Sequence, residues 1–184
     1  MKLTEILRDE HELIKLGLNL LDQMCEKMDK GEKVEPLHLE KVLEFIQVFA
    51  DDCHHGKEEE LLFPAMEKAG VQREGGPLCA MLMEHQMCRC RVNGMKGEMA
   101  GIKKGDKKAV KRFVTHAIDY ILMLTQHIEK ENHCLFPMVE MALSPSVQNE
   151  LAQDFGNLEI TKIGRGKRQE FERCLNELKM VYQT

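Results

Sequence analysis

Tryptophan is missing from this chain, and two tyrosines and seven phenylalanines are all the aromatic surface that 184 residues provide. So little aromatic material, without β-branched runs, leaves a sandwich or barrel nothing to build on. No stretch alternates convincingly enough for a strand. Basic residues are outnumbered, 26 against 31 acidic, for a net charge of −5. That balance argues against nucleic acid as a main partner, because phosphate binding needs a basic face. Apolar runs fall far short of the roughly 20 residues that span a bilayer, and the opening residues are too charged for a signal peptide. Seven cysteines, an odd number with no second pair at zinc-ribbon spacing, do not make a disulfide framework or a zinc ribbon. The expectation is a cytosolic protein with reduced thiols and no membrane association.

What is present favours helices: 13 methionines with abundant Leu, Glu and Lys, and 43% hydrophobic residues, enough for a sizeable core. Residues 3–29 place Leu7, His11, Ile14, Leu18, Leu21 and Cys25 on one face. A second helix over about 37–68 has Leu39, Val42, Leu43, Ile46, Phe49 and Ala50 inside, with Pro64 expected to kink it or break off its last turn. A third, about 77–100, carries Leu78, Met81, Leu82, His85, Cys88, Val92, Met95 and Met99, and Gly94, Gly97 and Gly101 weaken its far end. Gly105-Asp106 supplies a stop and an N-cap for a fourth that runs to about 141. Ser144-Pro145 starts a short fifth helix, and Gly156 and Gly164–Gly166 set off a last segment over about 167–181. The reading is an all-α, antiparallel up-down-up-down four-helix bundle over 1–143, with a helical extension over 144–184 packed on it.

One pattern occurs twice. His54 to Pro64 and His127 to Pro137 both read H-x-x-K-E-x-x-x-L-F-P, 73 residues apart, and Glu67 and Glu140 follow at the same offset. At about 100° per residue, Glu58 falls within about 40° of His54, on the apolar stripe, while Lys57 and Glu60 point elsewhere. In the second copy His127 and Glu131 share a stripe with Phe113, Tyr120, Leu124 and Leu135. A carboxylate facing a core must be paired, hydrogen-bonded or metal-bound, since leaving it bare costs several kcal/mol. A His at i−4 accompanies it both times, which is a chelating spacing.

Height along the bundle brings these groups together. His11 lies near the start of helix 1, His54 late in helix 2, His85 early in helix 3 and His127 late in helix 4. In an antiparallel bundle those four positions share one end. Helices 2 and 4 add Glu58 and Glu131, and His55 can swing in from the flank of helix 2. Five imidazoles and two carboxylates are too many donors for one small ion, so two metals bridged by the carboxylates fit better. The donor types suit iron, with zinc or manganese as alternatives.

On these residues (His11, the two repeat copies and Glu84-His85) the chain over about 3–141 resembles the hemerythrin-like, HHE cation-binding domains. The resemblance implies a four-helix bundle with a non-haem, oxo- or hydroxo-bridged diiron centre. His54 and His127 would be terminal ligands, Glu58 and Glu131 would bridge, and His11 and His85 would complete the two ends. The chain departs from oxygen-carrying hemerythrins at Met81, where they have a second helix-3 His, and at Asn132, where they have an Asp. Iron-sensing and iron–sulfur-repair relatives also use H-x-x-x-E in helix 4, and the sensor takes a ligand from beside its helix-2 His. His55 is therefore expected to replace the missing helix-3 His, with a His55–Glu59 pairing as the competing arrangement.

Other residues read more plainly. Cys25, Cys88 and Cys134 fall on core stripes as small buried hydrophobes. His133 and His38 are surface residues, His116 a buried hydrogen-bonded histidine, and Tyr120 core packing. Glu84 and Arg89 flank His85 as a salt bridge or as orienting groups. The function expected is binding or sensing of O2 or a related small oxidant. The alternatives are an oxidoreductase reducing peroxide or NO, an iron donor in iron–sulfur repair, or an interaction module with a structural metal. Repair relatives typically begin with a cysteine-bearing domain, whereas this chain opens directly on helix 1. Whether the protein is an enzyme is left open by the sequence.

Overall fold

In the computed structural model, residues 2–182 are described. Six helices hold most of them: α1 (Leu3–Asp29), α2 (36–68), α3 (Pro77–Lys103), α4 (107–142), α5 (Pro145–Ile163) and α6 (Lys167–Tyr182). Met1, Gln183 and Thr184, at the ends of the two expected segments, lie outside the described residues. There is no strand among the described residues, and no helix is long and apolar enough to cross a membrane.

Punctuation in the sequence sets the boundaries. Asp106 caps α4 by accepting from the Lys108 amide at 2.8 Å, and Ser144 accepts from the Val147 amide at the start of α5. Gly164, at φ 89°, ends α5 in a conformation other residues rarely adopt. Successive helices α1 to α4 pack as neighbours around a closed bundle, with α4 returning to α1. α3 runs unbroken through its glycines to Lys103. A Cβ at Gly94 would lie 2.7 Å from the His116 ring, and one at Gly101 would lie 2.5 Å from Ala109, so these glycines let α4 approach closely. The fifth helix is long rather than short and runs unbroken through Gly156. It lies across α2 and α1, and α6 follows over α1 and α2.

Neither proline breaks its helix. In α2 the backbone is π-helical over Ile46–His55 and Glu58–Leu62, and in α4 over Glu131–Leu135. The Phe63 and Phe136 amides reach back five residues, to the carbonyls of Glu58 and Glu131. A widened turn just before each proline absorbs the ring that would otherwise press on the carbonyl four residues back. The extra residue also shifts the phase of the side chains beyond it. Leu62 and Phe63 are buried while Leu61 is half-exposed, and Cys134 faces solvent instead of the core.

The apolar interior is divided in two. One cluster, including Ile14, Leu18, Ala50, Cys88, Val92 and Leu124, fills the long part of the bundle. A smaller one, with Leu7, Leu62, Phe63, Met81, Leu135 and Phe136, closes the end. Between them the helices contribute a polar layer. It is made of His11 between Leu7 and Ile14, His54 and Glu58 between Ala50 and Leu62, His85 between Met81 and Cys88, and His127 and Glu131 between Leu124 and Leu135.

Candidate metal centre

The polar layer is buried: His11, His54, His55, Glu58, His85, His127 and Glu131 are all at most 2% exposed. Each imidazole is held by its Nδ1. That of His54 donates to Glu10 at 2.8 Å, His127 to Glu84 at 2.8 Å, His85 to Glu59 at 2.7 Å, His11 to the Asn132 side-chain oxygen at 3.1 Å and His55 to Asp51 at 3.2 Å. All five partners are oxygen acceptors, which assigns a proton to each Nδ1 and turns each Nε2 toward the middle of the layer.

Four of those Nε2 atoms face one another in pairs. The Nε2 atoms of His11 and His54 are 3.1 Å apart, as are those of His85 and His127. Glu131 places one carboxylate oxygen 3.0 Å from His11 Nε2 and the other 3.0 Å from His127 Nε2. Glu58 does the same less closely, at 3.4 Å from His85 and 4.0 Å from His54. Acceptors at such separations repel unless protons or cations lie between them. Two donors bound at right angles to one ion with bonds of about 2.1 Å sit about 3.0 Å apart. Both Nε2–Nε2 spacings and both Glu131 contacts match that figure, while the Glu58 contacts are longer.

Hydrogen bonding points the same way. Seven buried side-chain polar atoms lack a partner among the described residues, and five belong here: His55 Nε2 and all four oxygens of Glu58 and Glu131. Buried polar groups are nearly always satisfied, so this concentration fits a cation and not a packed core. Three groups could hold a metal: His11, His54 and Glu131; Glu58, His85, His127 and Glu131; and His55, His85 and His127. Glu131 belongs to two of them, on either side of the layer.

Protonation reflects the same crowding. Burial disfavours the charged form of His127, but Glu131 and Glu84 outweigh it and lift the imidazole to about 10. Burial likewise opposes the Glu131 carboxylate, and His127 and His11 hold it well below the usual range. His55 is driven down by burial and by the neighbouring His85 and His127, so its Nε2 stays a free lone pair.

A cavity of about 150 Å³ reaches the layer from between α2 and α3. Asn93 is exposed at its mouth, while His55, Cys88, Val92 and Tyr120 line its buried part, and the Asp51–Arg89 pair stands beside them. A larger groove of about 480 Å³, lined by Met28, Val34 and Val110, lies at the other end of the bundle and contains no histidine.

The model of the hemerythrin HHE cation binding domain matches residues 2–139. The chain belongs to that family. Among curated relatives, this hemerythrin-domain chain is 28% identical over 125 residues to an iron–sulfur cluster repair protein YtfE of Dickeya chrysanthemi, covering 62% of this chain and 57% of that one. It is 27% identical over 126 residues to the YtfE of Yersinia pestis, covering 63% and 57%. An uncharacterized protein, Mb2018, of Mycobacterium bovis is 22% identical over 160 residues, covering 87% and 62%. The chain thus spans little more than half the length of the YtfE relatives. No solved structure matches it.

All seven residues singled out from the sequence lie in the layer. Glu59 does not enter it: this side chain turns outward to His85 Nδ1 and Arg89. Glu84 orients His127, not its neighbour His85. Asn132 serves His11. Lys57, expected to point away, is buried against Glu10 and Glu159, because α5 covers that side of α2. His38 is half-buried and paired with the Tyr182 hydroxyl at 2.8 Å. His116 is half-buried, and its Nδ1 is without a partner. His133 is exposed, and Cys25 and Cys88 are buried. Glu10 was missed, although Glu10-His11 and Glu84-His85 form the same pair on α1 and α3 and could have revealed it.

Proposed function

We propose that the layer holds two iron ions and that the protein binds or senses O2 or a related small oxidant there. His11 and His54 serve one ion, His85, His127 and His55 the other, and Glu58 and Glu131 bridge them. The observation that carries this reading is the pair of buried carboxylates that lie between imidazoles of different helices, with ring nitrogens from the layer as their neighbours. Imidazole with carboxylate suits iron, and zinc or manganese would satisfy the same donors. When bound, the metals would supply redox chemistry and a place for a small ligand. The chain's own residues orient the imidazoles through Nδ1 and keep bulk water out.

Cavity size supports a small ligand. About 150 Å³ amounts to about five water volumes, against the several hundred Å³ typical of organic-substrate sites. Of the layer's side chains only His55 lines this cavity, which favours the ion of His55, His85 and His127 as the one that the ligand approaches. The bundle of residues 1–143 would house the centre and residues 144–184 would cover it, in a reducing cytosolic setting that suits seven unpaired cysteines.

The curated relatives named as iron–sulfur cluster repair proteins favour a second reading, in which the iron is donated rather than kept. One experiment separates the readings. The anaerobic ferrous protein is exposed to O2 and followed optically. A change that reverses when O2 is removed supports binding; irreversible oxidation with peroxide or NO turnover supports an oxidoreductase. Iron passing to an apo iron–sulfur acceptor supports donation. No optical response, with a melting temperature that still depends on metal, leaves a structural metal in an interaction module.

A further inference from the structure

The two halves of the layer are built alike and backed differently. On α3 and α4, Glu84 holds His127 through Nδ1 and pairs with Lys130, which is 45% exposed. On α1 and α2, Glu10 holds His54 through Nδ1 and pairs with Lys57, which is 1% exposed. The difference comes from the last two helices. Glu159 of α5 accepts from the Lys57 ammonium at 2.7 Å, and the Arg168 guanidinium of α6 lies 3.7 Å from Glu10.

We propose that Glu159 is a positioning residue for the His11/His54 half of the centre, acting through Lys57 and Glu10 on Nδ1 of His54. The inference rests on the metal-holding reading above. Two cations and two anions (Lys57, Arg168, Glu10 and Glu159) form a cluster of zero net charge against a buried imidazole. Glu10 has to serve both an ammonium and the His54 N–H. Glu159 takes a share of the ammonium, leaving Glu10 free to accept strongly from the ring and keep its Nε2 basic and aimed inward. Without Glu159 the full charge of Lys57 falls on Glu10 and weakens its hold on His54. Glu159 and Arg168 both lie beyond residues 2–139, which the family model matches. Through this cluster the covering helices reach Nδ1 of His54, whereas the Glu84–Lys130 pair behind His127 is formed by α3 and α4 alone.

The test titrates the full-length metal-free protein anaerobically with Fe(II), or with Co(II) as an optical probe, against a competing chelator, resolving two equivalents. Glu159→Gln is expected to weaken one equivalent about tenfold, the low end for an orienting partner, and to leave the other unchanged. Glu159→Asp, which keeps the charge, should retain most of the affinity. Glu60→Gln is the control: it breaks the 2.6 Å Glu60–Lys162 pair between α2 and the same helix, away from Glu10, and should change neither equivalent. The proposal is overturned if Glu159→Gln changes neither equivalent or weakens both alike, or if Glu60→Gln reproduces its effect. A wild-type protein that takes up no metal overturns the underlying reading together with it.

Discussion

Replacing Glu58 with glutamine should cost stability without metal and cost more with it. In the chain alone, Glu58 is fully buried, with His85 Nε2 at 3.4 Å and His54 Nε2 at 4.0 Å, and against burial its charge helps hold both imidazoles above their ordinary range. Removing that charge leaves the buried imidazoles with one counter-ion fewer, and a buried group that loses its partner costs about 1–3 kcal/mol. The exchange should therefore destabilise the metal-free protein by about 2 kcal/mol. For a chain of this size that corresponds to a melting temperature about 4–8 °C lower. With metal the loss is larger, because the amide cannot replace a bridging carboxylate. The variant should lose at least one of two equivalents, together with the stabilisation that bound ligand confers on the folded state. Scanning calorimetry of chelated and iron-loaded samples, with metal counted in each, makes the comparison. A Glu58→Gln protein that melts higher than wild type without metal, or that keeps two metals, would refute the reasoning.

Other substitutions sort the same layer. Glu131→Ala should lose at least one metal, while Glu59→Ala, which removes the oxygen serving His85 Nδ1 and Arg89, should keep both with affinity lowered about tenfold; plasma emission spectroscopy after dialysis reads this directly. In the metal-free protein His127, raised to about 10 against burial by Glu131 and Glu84, contributes stability that is complete below about pH 6.5 and lost as the pH rises through about 10. Melting temperatures should fall over that window without metal and hold with it, where the metal replaces the proton. Val92→Phe, which fills the cavity beside His55, should slow small-ligand binding at least tenfold in stopped-flow traces without changing metal content.

The bundle was readable because its inner stripes are regular: Leu7, His11, Ile14 and Leu18 on α1, and Met81, His85, Cys88 and Val92 on α3, follow helical spacing and are buried. The layer was readable because a repeated motif set each His beside its Glu and the alternation of helix direction brought them to one height. Three features were hidden for physical reasons. Widened turns at Glu58 and Glu131 spend an extra residue, so a wheel drawn at constant pitch puts Cys134 inside when it faces solvent. Lys57 looked exposed because nothing in residues 37–68 says that α5 will lie over it. The ring-holding oxygens (Glu10, Glu59, Glu84, Asn132 and Asp51) mostly come from other helices than their imidazoles, a relation that only packing creates.

The most direct test of the account is metal content with an anaerobic optical spectrum, taken on freshly purified protein. Two iron ions per chain, both lost with Glu58 and Glu131 replaced together, is the predicted result. A single zinc, or a chain that folds to the same melting temperature with no metal bound, would contradict it.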